Sequence, residues 1–279
     1  RGAAVLAPLV LLAGAVAGAA GARPAAGLGR GGGGAAVPRL DGAFLAIHGS
    51  ADAFGLDEWR AELQAMAGVG MTIMALRPGA AAEVTSAPSA ACPFGRWGTF
   101  FPPPASLSPT CFKQVGVGVG GDKGTSTLGL ILQAAWEAGI EVHTGLAFTA
   151  NKSKDPRAWN ASSGAEQFAT HEEKWSGYAA LEVSLAKAVW ELFGAEYQGT
   201  LAGFYTDVEI NNLSVFLDQT RSLATRFYRA FAQNVKLLDP DLQVWASPYF
   251  VGNVTRRPDD QIMDPDLWAS WWRQIFKEA

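Results

Sequence analysis

From residue 40 onward, short apolar runs alternate with longer stretches of helical periodicity, and this alternation constrains the fold more than any other feature. Runs at 40–48, 71–77, 140–148, 201–210 and 243–250 have the length and residue content of strands. Between them, apolar residues recur at helical spacing: Trp59, Leu63 and Met66; Leu128, Ile131, Leu132 and Ala135; Tyr178, Leu181, Leu185 and Val189; then Phe216, Thr220, Leu223, Phe227, Phe231 and Val235. Gly68, Gly70, Gly139 and Gly194 supply the stops. Asp264 and Pro265 make a strong helix start, and Trp268, Trp271, Trp272 and Ile275 then share one face. Five strand–helix units in series predict an α/β fold with a parallel, helix-covered sheet.

A doubly wound sheet and a (β/α)8 TIM barrel both fit that alternation. The fourth strand favours the barrel. Ala202, Phe204, Thr206, Val208 and Ile210 form a mostly apolar row, whereas Leu201, Gly203, Tyr205, Asp207 and Glu209 form a row that turns acidic at its C-terminal end. Barrel strands carry their functional side chains at that end, facing inward. A complete barrel needs eight units, so the expectation is a TIM barrel over 40–279, C-terminally truncated after about five βα units, with 78–124 as a long irregular insert loop.

Composition narrows the function. Hydrophobic residues make up 49% and charged residues 17%, enough apolar content for a sizeable core. A net charge of -4 argues against a nucleic-acid partner. Residues 1–40 contain no Asp or Glu, and 3–20 is an unbroken run of apolar and small residues. Ala20, Gly21 and Ala22 suit a signal-peptidase cut, so 1–22 reads as a secretory signal peptide; a transmembrane anchor is the competing reading. A Gly-rich linker occupies 23–39. Beyond that N-terminal segment no stable membrane association is expected.

Export agrees with four N-x-[ST] sequons, at Asn151, Asn160, Asn212 and Asn253, which are candidate glycosylation sites. Cys92 and Cys111 bracket a Pro-rich stretch. In an oxidising compartment they would form one disulfide; two unpaired buried thiols are the alternative.

Asp207 and Glu209 carry the sharpest chemical signal. Two residues apart on a strand, they point the same way, with Tyr205 one step below. Carboxyls this close raise each other's proton affinity, so one can stay protonated near neutral pH. A protonated carboxyl beside a sugar-sized cleft can give its proton to a glycosidic leaving oxygen. A solvated acidic strand end fits the pattern equally well, and the location at a barrel's catalytic face favours chemistry. Candidate substrate contacts are Tyr205, His48 and Arg77 near strand ends, and Trp245 and Tyr249 on the fifth strand, where rings could stack on sugars. Ordinary packing or structural hydrogen bonding is the alternative for each.

Other motifs are empty. Gly116, Gly118 and Gly121 match G-x-G-x-x-G, but they follow a Pro- and Cys-containing loop rather than a strand and no suitable acid follows, so the segment reads as a flexible loop. His48, His143 and His171 form no metal-binding pattern, so neither metal nor cofactor is expected. No G-x-S-x-G elbow is present.

The opening Leu40-Asp-Gly-Ala-Phe-Leu45 with Trp59, Leu63, Met66 and Gly70 resembles a barrel family catalogued as domain of unknown function 4434, which is glycosyl-hydrolase-like. Ile131-Leu-Gln-Ala-Ala-Trp-Glu-Ala-Gly139, Val142-His-Thr-Gly-Leu146, Gly203-Phe-Tyr-Thr-Asp-Val-Glu-Ile210 and Ser247-Pro-Tyr-Phe250 follow in the same order. The resemblance implies a (β/α)8 fold acting on an oligo- or polysaccharide, with Glu209 at the place of the strand-four glutamate. The same strand is similar to the D-G-x-D-x-D-x-E of family 18 chitinases. Gly203, Asp207 and Glu209 agree, while Ala202 and Tyr205 replace the first two acids. Together these expectations describe a secreted glycoside hydrolase with Glu209 as general acid. An inactive carbohydrate-binding barrel or a truncated fragment is the alternative.

Overall fold

A computed structural model describes residues 41–47, 53–77, 79–85, 89, 91, 92, 95–148, 165–206, 208, 210, 218–246 and 264–278. Nine strands and five α-helices occur among them. The larger sheet contains β1 (Gly42–Ala46), β2 (Ile73–Arg77), β6 (Glu141–Gly145), β8 (Leu201–Thr206) and β9 (Gln243–Ala246). They lie side by side in that order, and every pairing is parallel. Strand order equals chain order, so the sheet never reverses direction as a doubly wound sheet does. Right-handed crossovers that always step the same way place their helices on one face. The described strands form an open sheet with β1 and β9 at its edges, not a closed barrel.

The helices are α1 (Leu56–Gly68), α2 (Thr127–Ala138), α3 (Ala165–Phe193), α4 (Asp218–Leu238) and α5 (Pro265–Glu278). Their ends follow local chemistry. Glu58 accepts from the Gly55 backbone N–H at 3.0 Å at the start of α1. Ser126 accepts from Gly129 N–H at 3.2 Å at the start of α2. Gly139 closes α2 at φ 69°, a left-handed conformation that costs glycine no Cβ clash. The N-terminal half of α3 begins earlier than the apolar spacing suggests. Ala165, Glu166, Gln167, Ala169, Glu172 and Glu173 there are good helix formers whatever their apolar spacing.

The expected irregular insert at 78–124 is instead structured. It contributes β3 (Ala81–Thr85), β4 (Arg96–Thr99) and β5 (Phe112–Gln114), which join β7 (Ala147–Phe148) in a second sheet of order β5-β4-β3-β7. Three short strands broken by Pro and Gly leave too little alternation to read as a sheet. The Gly-rich segment expected to be flexible is a tied turn. Gly116, Gly118 and Gly120 all have positive φ, the Gln114 amide donates to Gly118 O at 3.0 Å, and its oxygen accepts from Gly120 N–H at 3.2 Å. Cys92 and Cys111 are disulfide-bonded with their Cα atoms 5.4 Å apart. The bridge closes the Pro-rich loop, and Trp97 N–H donates to Cys111 O at 2.8 Å beside it.

Both sheets share one core. Leu63, Met74, Leu132, Val142, Leu185, Phe204 and Phe231 fill it under the helices, and Phe100, Phe101 and Leu107 extend it beneath the second sheet. On α5 the indole N–H of Trp271 donates to Thr225 Oγ1 at 2.8 Å, and Trp268 and Trp272 pack with it.

Candidate functional site on the open face of the parallel sheet

Parallel pairing keeps registered residues on the same face, so the site can be assembled strand by strand. Leu45, Leu76, Thr144, Phe204 and Val244 lie in one register row, on the helix side. The opposite face carries Phe44, Ala75, His143, Gly203 and Gln243 in one row. The next row toward the strand C-termini holds Ala46 with Arg77, and Gly145 with Tyr205 and Trp245. This face, the one without helices, exposes Phe44, Ala46 and Gln243 on its edge strands, while Ala75, His143 and Tyr205 at its centre are buried.

Small residues make room for rings there. Gly145 lies under Tyr205, whose Cδ1 would sit 3.3 Å from a Cβ at that position. Tyr205 thus leans across the sheet to meet the Phe44 ring edge-on at 5.3 Å. Gly203 is held against the backbone of Gln243, where any Cβ would collide with the carbonyl oxygen. Across this bare position Trp245 reaches His143, and the rings stack at 3.9 Å and 20°. His143 is fully buried, and desolvation pulls its pKa down to about 4, so the imidazole is neutral at ordinary pH. Neither ring nitrogen has a hydrogen-bond partner among the described residues.

Val208, just after β8, is tied at both its N–H and its carbonyl. Val208 N–H donates to Thr206 Oγ1 at 3.2 Å, and Tyr228 Oη donates to Val208 O at 2.5 Å. Thr206, Val208 and Ile210 are buried, as is Phe204. Asp207, Glu209, His48 and Tyr249 lie outside the described residues, as do Asn151, Asn160, Asn212 and Asn253. Of the expected substrate contacts, Tyr205 and Trp245 come together on the open face, while Arg77 is half-buried with its guanidinium 5.3 Å from the centre of the Phe148 ring. His143 was not among those expectations. The signal that could have found it is a histidine in the middle of a strand, in the row opposite Val142 and Thr144. No cluster of three His, Cys, Asp or Glu suited to a metal occurs among the described residues, and no helix among them is long and apolar enough to cross a membrane.

An open parallel sheet covered by helices on one side, with aromatic rings and a buried imidazole on the other, defines an α/β protein with a candidate site at the strand C-termini. The chain belongs to the family described as Domain of unknown function (DUF4434), whose profile matches residues 40–279. No curated protein matches it. Among solved structures it is similar to an endocellulase from Pyrococcus horikoshii, crystallised as a variant with cellotetraose, at 11% identity and a TM-score of 0.38. The match covers 75% of this chain and 51% of the endocellulase, so the chain spans about half of that protein's length.

Proposed function

We propose that the five strand–helix units belong to a (β/α)8-type barrel and that the protein is a secreted glycoside hydrolase with Glu209 as general acid. The observation that carries the proposal is the composition of the open face. Tyr205 and Trp245 are registered neighbours at the strand C-termini, where barrel enzymes place their chemistry. Asp207 and Glu209 alternate in sequence with the buried Thr206, Val208 and Ile210. The period-two spacing of the sequence is our reason for assigning both carboxylates to the side of Tyr205.

In this reading Glu209 protonates the leaving oxygen, and Asp207 keeps it protonated by like-charge repulsion and then orients the substrate. Tyr205, Trp245, His48, Arg77 and Tyr249 hold the saccharide. The Cys92–Cys111 disulfide is compatible with an oxidising compartment, which supports secretion with 1–22 as signal peptide and sugars on Asn151, Asn160, Asn212 and Asn253.

The test is hydrolysis by the full-length natural protein on a panel of cello-, xylo-, manno- and chito-tetraoses. At least one should be cleaved, and Glu209→Gln should lower kcat by about a thousandfold or more, in line with the loss of one essential carboxylate. Cleavage indifferent to Glu209→Gln, or no cleavage at all, rejects the proposal. Tight saccharide binding without cleavage identifies a non-catalytic binding barrel.

A further inference from the structure

The least explained group on the open face is His143. It sits at the centre of the sheet, on the third of five strands, flanked in register by Ala75 and Gly203. Those neighbours have little or no side chain, so nothing registered beside it can reach its nitrogens. Both nitrogens are buried and without hydrogen-bond partners among the described residues. Burying a donor and an acceptor unmet is unfavourable, whereas an apolar ring, such as the somewhat larger one of phenylalanine, carries no such cost. The half-buried Trp245 lies over the ring face, between the imidazole and the open side of the sheet.

We propose that His143 is a substrate-contacting residue, one that pairs its donor and acceptor nitrogens with the hydroxyl groups of a neutral sugar while Trp245 supplies the stacking surface. The assignment rests on the glycoside-hydrolase reading above and adds to it a polar floor for the same site. A neutral imidazole offers one donor and one acceptor, and a sugar hydroxyl offers the complement of each. Burial holds the imidazole uncharged, so an anionic ligand gains nothing from it. In the free protein Trp245 covers His143. On binding the indole shifts, its face meets the apolar face of the sugar, and the hydroxyls replace the missing partners.

The experiment titrates the full-length Glu209→Gln protein, which retains substrate, with the same four tetraoses by calorimetry. It then repeats the titration in the His143→Phe and His143→Gln backgrounds. For the tetraose that binds, His143→Phe should weaken Kd about tenfold or more with Tm unchanged or raised, because an unmet polar pair has gone. His143→Gln, which keeps a donor and an acceptor, should recover part of the affinity. Should His143→Phe not fold, 15N-histidine spectra of the unsubstituted protein decide: the ring nitrogen resonances should move when the tetraose is added.

A folded His143→Phe protein that binds within twofold of its parent overturns the assignment, as do nitrogen resonances unmoved at saturation. If that happens while Glu209-dependent cleavage persists, the hydrolase reading stands and only the role of His143 falls. Binding that depends on His143 without any cleavage keeps the role and rejects the hydrolase. Failure of every tetraose to bind rejects both.

Discussion

The two faces of the parallel sheet come from the same five strands and follow different rules. On the helix side, Met74, Leu76, Val142 and Phe204 are fully buried in a continuous core. On the open side, Ala75, Gly145 and Gly203 leave room for rings that lie along the sheet rather than standing on it. One face spends its side chains on volume, the other on shape and polarity. Stability and function should therefore separate by residue parity along each strand.

The largest expected effect falls on the helix side. Phe204→Ala should cost about 3 to 5 kcal/mol, the usual loss for a fully buried aromatic side chain. Denaturant unfolding measures it, and a loss under about 1 kcal/mol would erase the distinction between the faces.

The disulfide comes next. Replacing Cys92 and Cys111 with serine should cost about 3 kcal/mol, given a closed loop with a sequence separation of 19. Hydrogen exchange should show the loss concentrated in β4 and β5, with β2, β6 and β8 still protected. Uniform loss across both sheets would mean that they unfold as one unit.

Acid probes the open face. The His143 pKa is lowered from 6.5 to about 4 by burial, so the unfolded chain binds more protons than the folded one between those values. The protein therefore carries no titration penalty from His143 above about pH 6.5 and loses up to about 3 kcal/mol of stability through it as pH falls toward 4. His143→Phe should flatten that part of the pH–stability curve. An unchanged slope would place the titration elsewhere.

The smallest effect lies on the surface. Arg60 bridges to Glu137 at 2.6 Å and to Asp57 at 3.2 Å, linking α1 to α2, and its guanidinium holds the Glu137 carboxyl below the usual range. The pair lies at the surface and is partly exposed to solvent, so Arg60→Ala should move Tm by about 2 °C or less.

Legibility in the sequence divides along the same line. Helix-side residues repeat at regular spacing, so Trp59, Leu63 and Met66, or Leu223, Phe227 and Phe231, announce their helices before any coordinates exist. The strand-four parity that sorts Phe204 from Tyr205 was legible for the same reason. The second sheet was not, because strands as short as Phe112–Gln114 carry no readable period and take their pairing from partners distant in sequence. His143 stayed hidden because a lone histidine makes no motif. Only the register that sets it beside Gly203, with Trp245 leaning across, gives it a setting.

The matching of strand order to chain order has a kinetic consequence. Each strand of the large sheet docks on an edge left by the strand made just before it, from β1 through β9. Assembly can therefore keep pace with delivery of the chain from its N-terminal side, because no strand waits for a partner synthesised much later. A doubly wound sheet lacks this property, since its first strand ends up in the interior with neighbours from both halves of the sequence. Force-sensitive arrest measurements on nascent chains of increasing length should show compaction in successive steps as β2, β6, β8 and β9 emerge. One single step at full length would mean that the sheet assembles only once all its strands are present.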